Sequence, residues 1–573
     1  MKRIKRENEK SFLNNNCFKI SALILSFLFF ILLFYSACKI IKLQNCLNFV
    51  YILSVVLPLL IYFILYSDTK KNRIICSFIY LFLVLTMPFM FAKTFDQTVD
   101  GNSYHKIAIG YMKNGWNPVQ ESSIDWQQHK DIVHIPTNSK IDKWVDHYPK
   151  STWMVAASMY SYTQGIESGK SINLLMMISL CLLGYSFFSQ KFNKVKSTIF
   201  SIFISLNPIL LSQMFSYYLD GLVGICFAIE FILLMMLDSC NKKSWILWGL
   251  MLCNCSIFVN LKFTGLLYSG VLAAIFYFYW LFKDKKNILK TFKDITLKFS
   301  AIFIIAICFI GANSYVRNFI DHSNPLYPLV GKDKEDIITT MQPQKFKNMN
   351  CIQKFGWSLF SKTENATYQG NGPTLKLPFR LYQSELDTLY EAPDVRIGGF
   401  GPFFAICFVL GSLLYVIEMI SLYRHKNPIF KYSLMFIIGI VVSCALVKEF
   451  WWVRYAPQLY FIPVVSLILS EFAFKGKIKH IIQAILSIIL ILNLSCYIKA
   501  YTRKFDDFKQ VRNDLVELSK MSEVTLDFDY INKPVGVYFN LKDYNINFNI
   551  ESIEPEEDVR WLISWRVRMR VND

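Results

Sequence analysis

Two acidic residues that follow the third long apolar run are the first candidates for chemistry. Asp96 and Asp100 lie four positions apart, so a helix would place both carboxylates on one face. They stand close to the point where an apolar segment ends. A carboxylate at such a border between lipid and water can have a raised pKa, which suits a general base at neutral pH. The spacing predicts a catalytic base, and a solvated acidic loop closed by a turn at Asp100 and Gly101 is the alternative interpretation.

Three further charged residues stand at the starts of later apolar runs, namely Asp220, Lys262 and Arg454. Cations in such places could hold a phosphate and stabilise charge on a departing oxygen. Arginine suits this role because its planar fork can bind phosphate with two hydrogen bonds. Each residue also has a structural interpretation, since Arg454 and Lys262 could extend to the membrane interface and Asp220 could cap its helix.

Long apolar runs must position these residues. Hydrophobic residues make up 54% of the 573-residue chain and charged residues only 18%, whereas about a quarter of the residues of a soluble protein are charged. Runs of about 20 apolar residues cross a bilayer as helices, and the alternation typical of barrel strands is missing. The sequence therefore predicts an all-α polytopic membrane protein with about 13 transmembrane helices. The predicted spans are residues 19–42, 47–66, 74–93, 171–189, 197–214, 219–238, 243–260, 263–282, 299–315, 401–423, 430–447, 456–474 and 479–498.

The formal net charge of +19 does not indicate a nucleic-acid partner, because the lysines and arginines cluster in short connectors between the predicted spans. These clusters fall on alternate connectors, which the positive-inside rule assigns to the cytoplasm. The N-terminus is then cytoplasmic and the C-terminus extracytoplasmic. High contents of Lys, Asn, Ile and Phe are typical of AT-rich bacteria, so we expect an integral protein of a bacterial inner membrane, surrounded by membrane lipids.

This topology divides the chain into six parts. In chain order they are N-terminal transmembrane helices 1–93, a first large extracytoplasmic loop 94–170 with the candidate acids, a central transmembrane bundle 171–315, a second large extracytoplasmic loop 316–400, C-terminal transmembrane helices 401–498, and a small extracytoplasmic α/β domain 499–573. Periodicity within the last part predicts an amphipathic helix followed by four short strands. The helix is expected over 506–520 and the strands over 524–528, 535–541, 544–550 and 561–564.

A series of short motifs runs through the region 90–460. The first is an acid, an aromatic residue, a helical stretch and then Gly-x-x-Pro, which ends at Gly115–Pro118. The others, in chain order, are Asn207-Pro208, Tyr217-Tyr218-Leu219-Asp220-Gly221, Asn260-Leu261-Lys262-Phe263-Thr264-Gly265, Arg317-Asn318, Asn324-Pro325-Leu326-Tyr327-Pro328, Gly398-Gly399-Phe400-Gly401-Pro402 and Trp452-Val453-Arg454-Tyr455-Ala456-Pro457. As an ordered set, they resemble the GT-C glycosyltransferases, polytopic enzymes that take a sugar from a polyprenyl-phosphate carrier.

The resemblance implies transfer of a sugar from a polyprenyl-phosphate-linked donor to an acceptor outside the cytoplasm, a cell-surface glycan, a lipid or a protein, with inversion at the sugar carbon. Asp100 would be the general base with Asp96 as its helper, or the reverse. The implied substrate-binding residues are Tyr104, His105, Asp220, Lys262, Arg317, Arg454 and Tyr455. Such enzymes can use a divalent cation, Mg²⁺ or Mn²⁺, but no metal-ligand pattern is encoded here and no other cofactor is implied.

The chain departs from the pattern in two respects. Three spans precede the acidic loop where one is usual, and the two acids are neither adjacent nor separated by a single residue. Two other interpretations therefore stay open. One is an O-antigen polymerase or ligase that acts on a lipid-linked oligosaccharide through outer-loop arginines. The other is a lipid or solute transporter, for which Glu230 in the middle of a span would be a candidate proton carrier.

Overall fold

Long apolar helices dominate the computed structural model, which describes residues 12–44, 46–66, 68–129, 139–332, 334–336, 339–365, 372–521, 523–527, 535–553, 560–562 and 567–572. Ten helices in these ranges are long and apolar enough to cross a membrane. They are Asn16–Ile40, Leu47–Leu65, Lys70–Phe91, Ile166–Phe188, Asp220–Ser239, Phe263–Lys283, Lys285–Asn313, Phe404–Arg424, Phe430–Val447 and Gly476–Leu518. The prediction of a helical integral membrane protein is thereby confirmed in this coarser form.

The predicted count of thirteen spans is not confirmed. Two of the predicted spans correspond to shorter apolar helices, Trp245–Val259 and Pro457–Ala473. A third, 197–214, is divided into the helices Lys194–Ser205 and Pro208–Gln213. Pro208 causes the break, because proline lacks the backbone N–H that would continue the first helix.

Asn207 completes this break. Its side-chain oxygen accepts a hydrogen bond from the Ile209 N–H, which caps the second short helix. Its amide nitrogen donates to the Pro457 carbonyl at 2.9 Å, so the break is fixed against the segment that carries Arg454. The helix Asp220–Ser239 is buried along almost its whole length, so it lies in the interior of the bundle.

Both large inter-span segments contain helices, which make up most of the first segment and a smaller part of the second. Within 94–170 the helices are Gly101–His105 in π form, Lys106–Lys113, Ser123–Gln128, Ser139–His147, Ser151–Thr163 and the 3-10 turn Ile166–Lys170. Within 316–400 they are the end of Tyr315–His322, then Cys351–Leu359 and Gln383–Glu391, with 3-10 turns at Thr339–Met341 and Gln344–Phe346. The helix Ser151–Thr163 is buried from Ser151 to Tyr160, so this part of the first segment belongs to the protein core.

The last helix is much longer than predicted. Gly476–Leu518 runs unbroken for 43 residues, joining the predicted span 479–498 to the predicted amphipathic helix 506–520. At 1.5 Å per residue it is about 65 Å long, so it extends well beyond a bilayer. No proline or glycine occurs from Lys477 to Leu518, which explains why the two helical patterns merge.

A small sheet follows this helix. Its strands are β1 Glu523–Asp527, β2 Phe548–Ile550, β3 Arg560–Leu562 and β4 Val567–Asn572. They lie in the order β2-β1-β4-β3, with β1 parallel to β2 and the other pairs antiparallel. Three of the four predicted strands overlap β1, β2 and β3, although residues 528, 563 and 564 lie outside the described residues, and β4 was not predicted.

The prediction of a strand at 535–541 is wrong, because Val537–Asp543 is a helix. A helix brings Asn540 and Asp543 onto one face, and both meet the first large loop there. The Asn540 amide donates to Glu167 at 2.9 Å, and the Asp543 carboxylate accepts from the Ile166 N–H at 2.6 Å. These tertiary contacts override the alternating pattern of the sequence.

The C-terminal region is therefore joined to the segment that carries the candidate acids. Gly536 N–H donates to the Asn102 carbonyl at 2.6 Å, and a side chain at Gly536 would collide with that carbonyl. Lys106 forms an ion pair with Glu167 at 2.5 Å and donates to Asn540 at 2.9 Å. The helical segment that follows Asp100 is thus held in place by the C-terminal region.

Candidate functional site

One guanidinium group lies among three carboxylates that come from distant parts of the chain. Arg454 Nη1 is 2.8 Å from Asp394 Oδ1, its Nε is 3.4 Å from Asp220 Oδ2, and its Nη2 is 3.7 Å from Asp100 Oδ2. Lys262 adds a second cation, with Nζ 2.5 Å from Asp220 Oδ1. We call these five residues the acid–arginine cluster.

Aromatic rings hold Arg454 in place. Its guanidinium carbon lies 5.0 Å from the ring centroids of Tyr218 and Trp452 and 5.2 Å from that of Tyr455. Arginine is attracted to such ring faces by the charge distribution of the π system. The residue sits in the short 3-10 helix Val453–Tyr455, where the chain turns into the helix that follows.

Asp220 is the most enclosed acid of the cluster, with a side chain only 2% exposed. It is the first residue of its helix, where a negative charge interacts favourably with the helix dipole. Gln213 donates to it at 3.2 Å and accepts from the Gly221 N–H at 2.9 Å. Lys262 also lies 4.2 Å above the Tyr455 ring centroid, so these charges are fixed on several sides.

Asp100 is the most exposed acid of the cluster, at 28% of its side chain. Desolvation raises its pKa to about 6, with Arg454 acting in the opposite direction. Its nearest neighbour on the same helical segment is the Tyr104 hydroxyl, at 3.5 Å. A carboxylate with this pKa is mostly ionised at neutral pH and can still accept a proton readily, which is the property that a general base requires.

Asp96 does not lie with Asp100. Its carboxylate accepts the backbone N–H groups of Thr98 at 2.8 Å and Tyr217 at 2.7 Å, and it is completely buried. A side chain at Gly101 would come within 2.0 Å of Asp96 Oδ2, so the turn closes tightly around it. These contacts favour an anchoring role, and the predicted role as a helper of the base stays a prediction.

His105 and Tyr104 flank the cluster from the first segment. The Trp153 indole N–H donates to His105 Nδ1 at 2.7 Å, so the histidine proton is on Nε2 in its neutral form. Burial lowers the pKa of His105 to about 3, which keeps it neutral at physiological pH. The Tyr104 ring lies 4.2 Å from the His105 ring, centroid to centroid. Tyr104 is the more exposed of the two and therefore the better candidate for contact with a substrate.

Arg317 lies apart from the cluster. It forms an ion pair with Asp321 at 2.5 Å and donates to the Val119 carbonyl at 3.1 Å. Its predicted role in phosphate binding stays a prediction, without support from these contacts.

Two residues of the second large segment also lie at the site, and one of them, Asp394, was not selected from the sequence. Asp394 accepts from the Trp452 indole N–H at 3.0 Å as well as from Arg454, and burial raises its pKa. Arg396 lies 5.1 Å from the Trp452 ring centroid, and its Nε is buried without a hydrogen-bond partner. The signal available in the sequence was their place just before Gly398, where the motif that closes the segment begins.

No family model and no curated protein matches the chain. The site must therefore be interpreted from its own geometry. It combines an accessible carboxylate with a raised pKa and a group of cations held by rings and buried acids. That combination can take a proton from one reactant while it stabilises negative charge on another.

A divalent cation does not fit this arrangement well. Arg454 occupies the space between the three carboxylates, and Lys262 is already paired with Asp220. A metal ion placed among these acids would be repelled by both side chains. Within the described residues there is no group of three or more His, Cys, Asp or Glu side chains arranged to hold a metal ion, so we derive no step that uses one.

Proposed function

We propose that this protein is a membrane glycosyltransferase that moves one sugar from a polyprenyl-phosphate-type donor to an acceptor hydroxyl. The acceptor would be a glycan, a lipid or a protein outside the cytoplasm. The observation that carries the proposal is the 3.7 Å separation between Asp100 and Arg454. These residues are 354 positions apart, and the resemblance to the GT-C enzymes implied one as the base and the other as a substrate-binding cation.

In the proposed reaction the acceptor oxygen attacks the anomeric carbon of the sugar and its proton passes to the Asp100 carboxylate. The bond between that carbon and the phosphate oxygen breaks, so the lipid phosphate leaves with an added negative charge. A direct displacement of this kind inverts the configuration at the sugar carbon. Asp100 is restored when it releases the proton to water.

Arg454 is suited to the departing phosphate because not all of its donor groups are used. Nη1 is bonded to Asp394, whereas Nη2 is 3.7 Å from Asp100 and therefore beyond hydrogen-bond distance. Arg396 and Lys262 would add positive charge on either side. Asp220 and Asp394 hold the guanidinium in a fixed position, which reduces the reorganisation needed as charge develops.

The proposal includes an orientation in the membrane. The cluster would open on the extracytoplasmic side, with the N-terminus in the cytoplasm and the C-terminal sheet outside, as the distribution of basic connectors predicts. All thirteen predicted spans would then cross or enter the membrane, including 197–214, which is divided at Pro208. A bacterial cell membrane is the expected location.

The buried acids within the spans weigh against the transporter alternative. Glu230 lies 3.8 Å from the Cys255 thiol, and Glu418 accepts from the Ser466 hydroxyl at 2.9 Å. Each has its other carboxyl oxygen buried without a hydrogen-bond partner. Their polar contacts are neutral groups rather than the cations that an ion-coupled pathway usually pairs with acids. A polymerase or ligase of lipid-linked oligosaccharides stays the closer alternative.

The test is a transfer assay with the purified full-length chain and a panel of polyprenyl-phosphate sugars. We expect labelled sugar to reach an acceptor, with kcat/KM rising as the pH increases through about 6, because the pKa of Asp100 is raised to about 6 and only its ionised form is a base. Transfer from an oligosaccharide diphosphate donor alone, without this dependence on pH, would instead identify the polymerase or ligase alternative.

A further inference from the structure

A largely apolar cavity of about 300 Å³ lies at the end of the bundle opposite the acid–arginine cluster. Its walls include the half of Asp220–Ser239 that follows Ala228, the first turns of Phe430–Val447 and part of Phe461–Ala473. Along the first of these helices, the wall runs from Ala228, about 12 Å from Asp220 at 1.5 Å per residue, to Ser239 at the far end, and no residue of the cluster lines the cavity. The cavity is therefore separate from the cluster.

The wall of the cavity is suited to hydrocarbon. It includes the rings of Phe192, Phe231, Phe436 and Phe472 and the small side chain of Ala228. Apolar cavities of about 150 Å³ already exclude water and take up a molecule the size of benzene. A space about twice that size accommodates a longer flexible chain, and the surrounding bilayer supplies such chains.

One cation stands at this cavity. Lys191 is the single charged residue among the described residues that line it, and its ammonium is 5.7 Å from the Phe472 ring centroid. Two other lysines form ion pairs with acids, Lys431 with Asp238 and Lys196 with Glu471.

Desolvation lowers the pKa of Lys191. An anionic group beside its ammonium would oppose that shift. The ammonium of Lys191 is thus complementary to a negatively charged lipid headgroup, and the apolar cavity is complementary to the chain of that lipid.

We propose that this cavity binds an acyl chain of an anionic phospholipid from the leaflet opposite the cluster, with the lipid phosphate beside Lys191. Such a lipid would fill the space between the ends of three helices and stabilise their packing. The proposal does not depend on the transferase activity. It assigns a lipid site to the protein in addition to the site that would receive the sugar donor.

The test uses the purified full-length chain, equilibrated with equal amounts of phosphatidylglycerol and phosphatidylcholine, and native mass spectrometry to count the lipids retained. Ala228→Phe fills the cavity, and Ala301→Phe is the matched control because Ala301 is exposed on a different span. Lys191→Gln removes the cation, with Lys286→Gln as the control at an exposed lysine.

We expect the wild-type chain to retain one phosphatidylglycerol, and Ala228→Phe to reduce its occupancy at least tenfold while Ala301→Phe does not. Lys191→Gln should reduce the preference for phosphatidylglycerol about fivefold, the factor that corresponds to about 1 kcal/mol for one basic residue near an anionic surface. Equal retention of both lipids by the wild type would overturn the proposal. Equal occupancy in the two Ala→Phe variants would overturn it as well.

Discussion

Asp100→Asn should lower kcat for sugar transfer by at least about 100-fold, the usual contribution of a general base. Asparagine has nearly the same size and cannot accept the proton of the acceptor hydroxyl. Because the contact between Asp100 and Arg454 is long, at 3.7 Å, the loss of this carboxylate should change the dissociation constant of the donor by less than about threefold, well under 1 kcal/mol. The expected signature is thus a fall in kcat with donor binding retained.

The matched control is Asp506→Asn, which changes the same kind of residue at an exposed position of the long C-terminal helix. It should leave kcat unchanged. Asp100→Glu should retain more activity than Asp100→Asn, since it keeps a carboxylate near the acceptor. If Asp100→Asn transfers sugar within twofold of the wild-type rate, Asp100 is not the base.

Arg454→Lys should lower kcat/KM by about 100- to 1000-fold, as expected when a fixed donor to a developing negative charge is removed. Lysine keeps the charge but has no planar fork, so it cannot reach Asp394, Asp220 and Asp100 together. The cation that lowers the pKa of Asp100 would also be displaced. The midpoint of the pH profile should therefore move upward from about 6.

Arg503→Lys is the matched control for this change. Arg503 forms a 2.6 Å ion pair with Asp387, and both side chains are well exposed, so the substitution should have little effect on transfer. A fall in kcat/KM for Arg454→Lys with an unchanged pH midpoint would indicate that Arg454 acts at a distance from Asp100. Wild-type activity in Arg454→Lys would remove it from the site.

Much of the architecture could be predicted from the apolar runs, and the exceptions have local causes. The segment 197–214 has enough apolar residues for a span, yet Pro208 divides it. The pattern at 535–541 alternates as in a strand, yet Asn540 and Asp543 meet partners in the first large segment that require a helix. The first cause was visible in the sequence. The second was not, because it depends on residues more than 370 positions away.

Part of the candidate site could also be predicted from the apolar runs. Charges at the ends of apolar runs had to lie on a membrane face, and three of them, Asp220, Lys262 and Arg454, do lie in one cluster. Spacing did not distinguish Asp96 from Asp100, because only the tertiary structure turns Asp96 toward the Tyr217 backbone. Asp394 was missed since it follows a long segment without apolar periodicity.

The central claim is that Asp100 and Arg454 act in one site on one reaction. Asp100 takes the proton of the acceptor hydroxyl, and Arg454 stabilises the departing phosphate. A double-mutant cycle with Asp100→Asn and Arg454→Lys in the transfer assay tests this claim most directly. Residues that act as a unit have non-additive effects, so the loss of kcat/KM in the double variant should fall at least tenfold short of the product of the single losses. A double variant whose loss equals that product within twofold would contradict the claim, because the two side chains would then act independently.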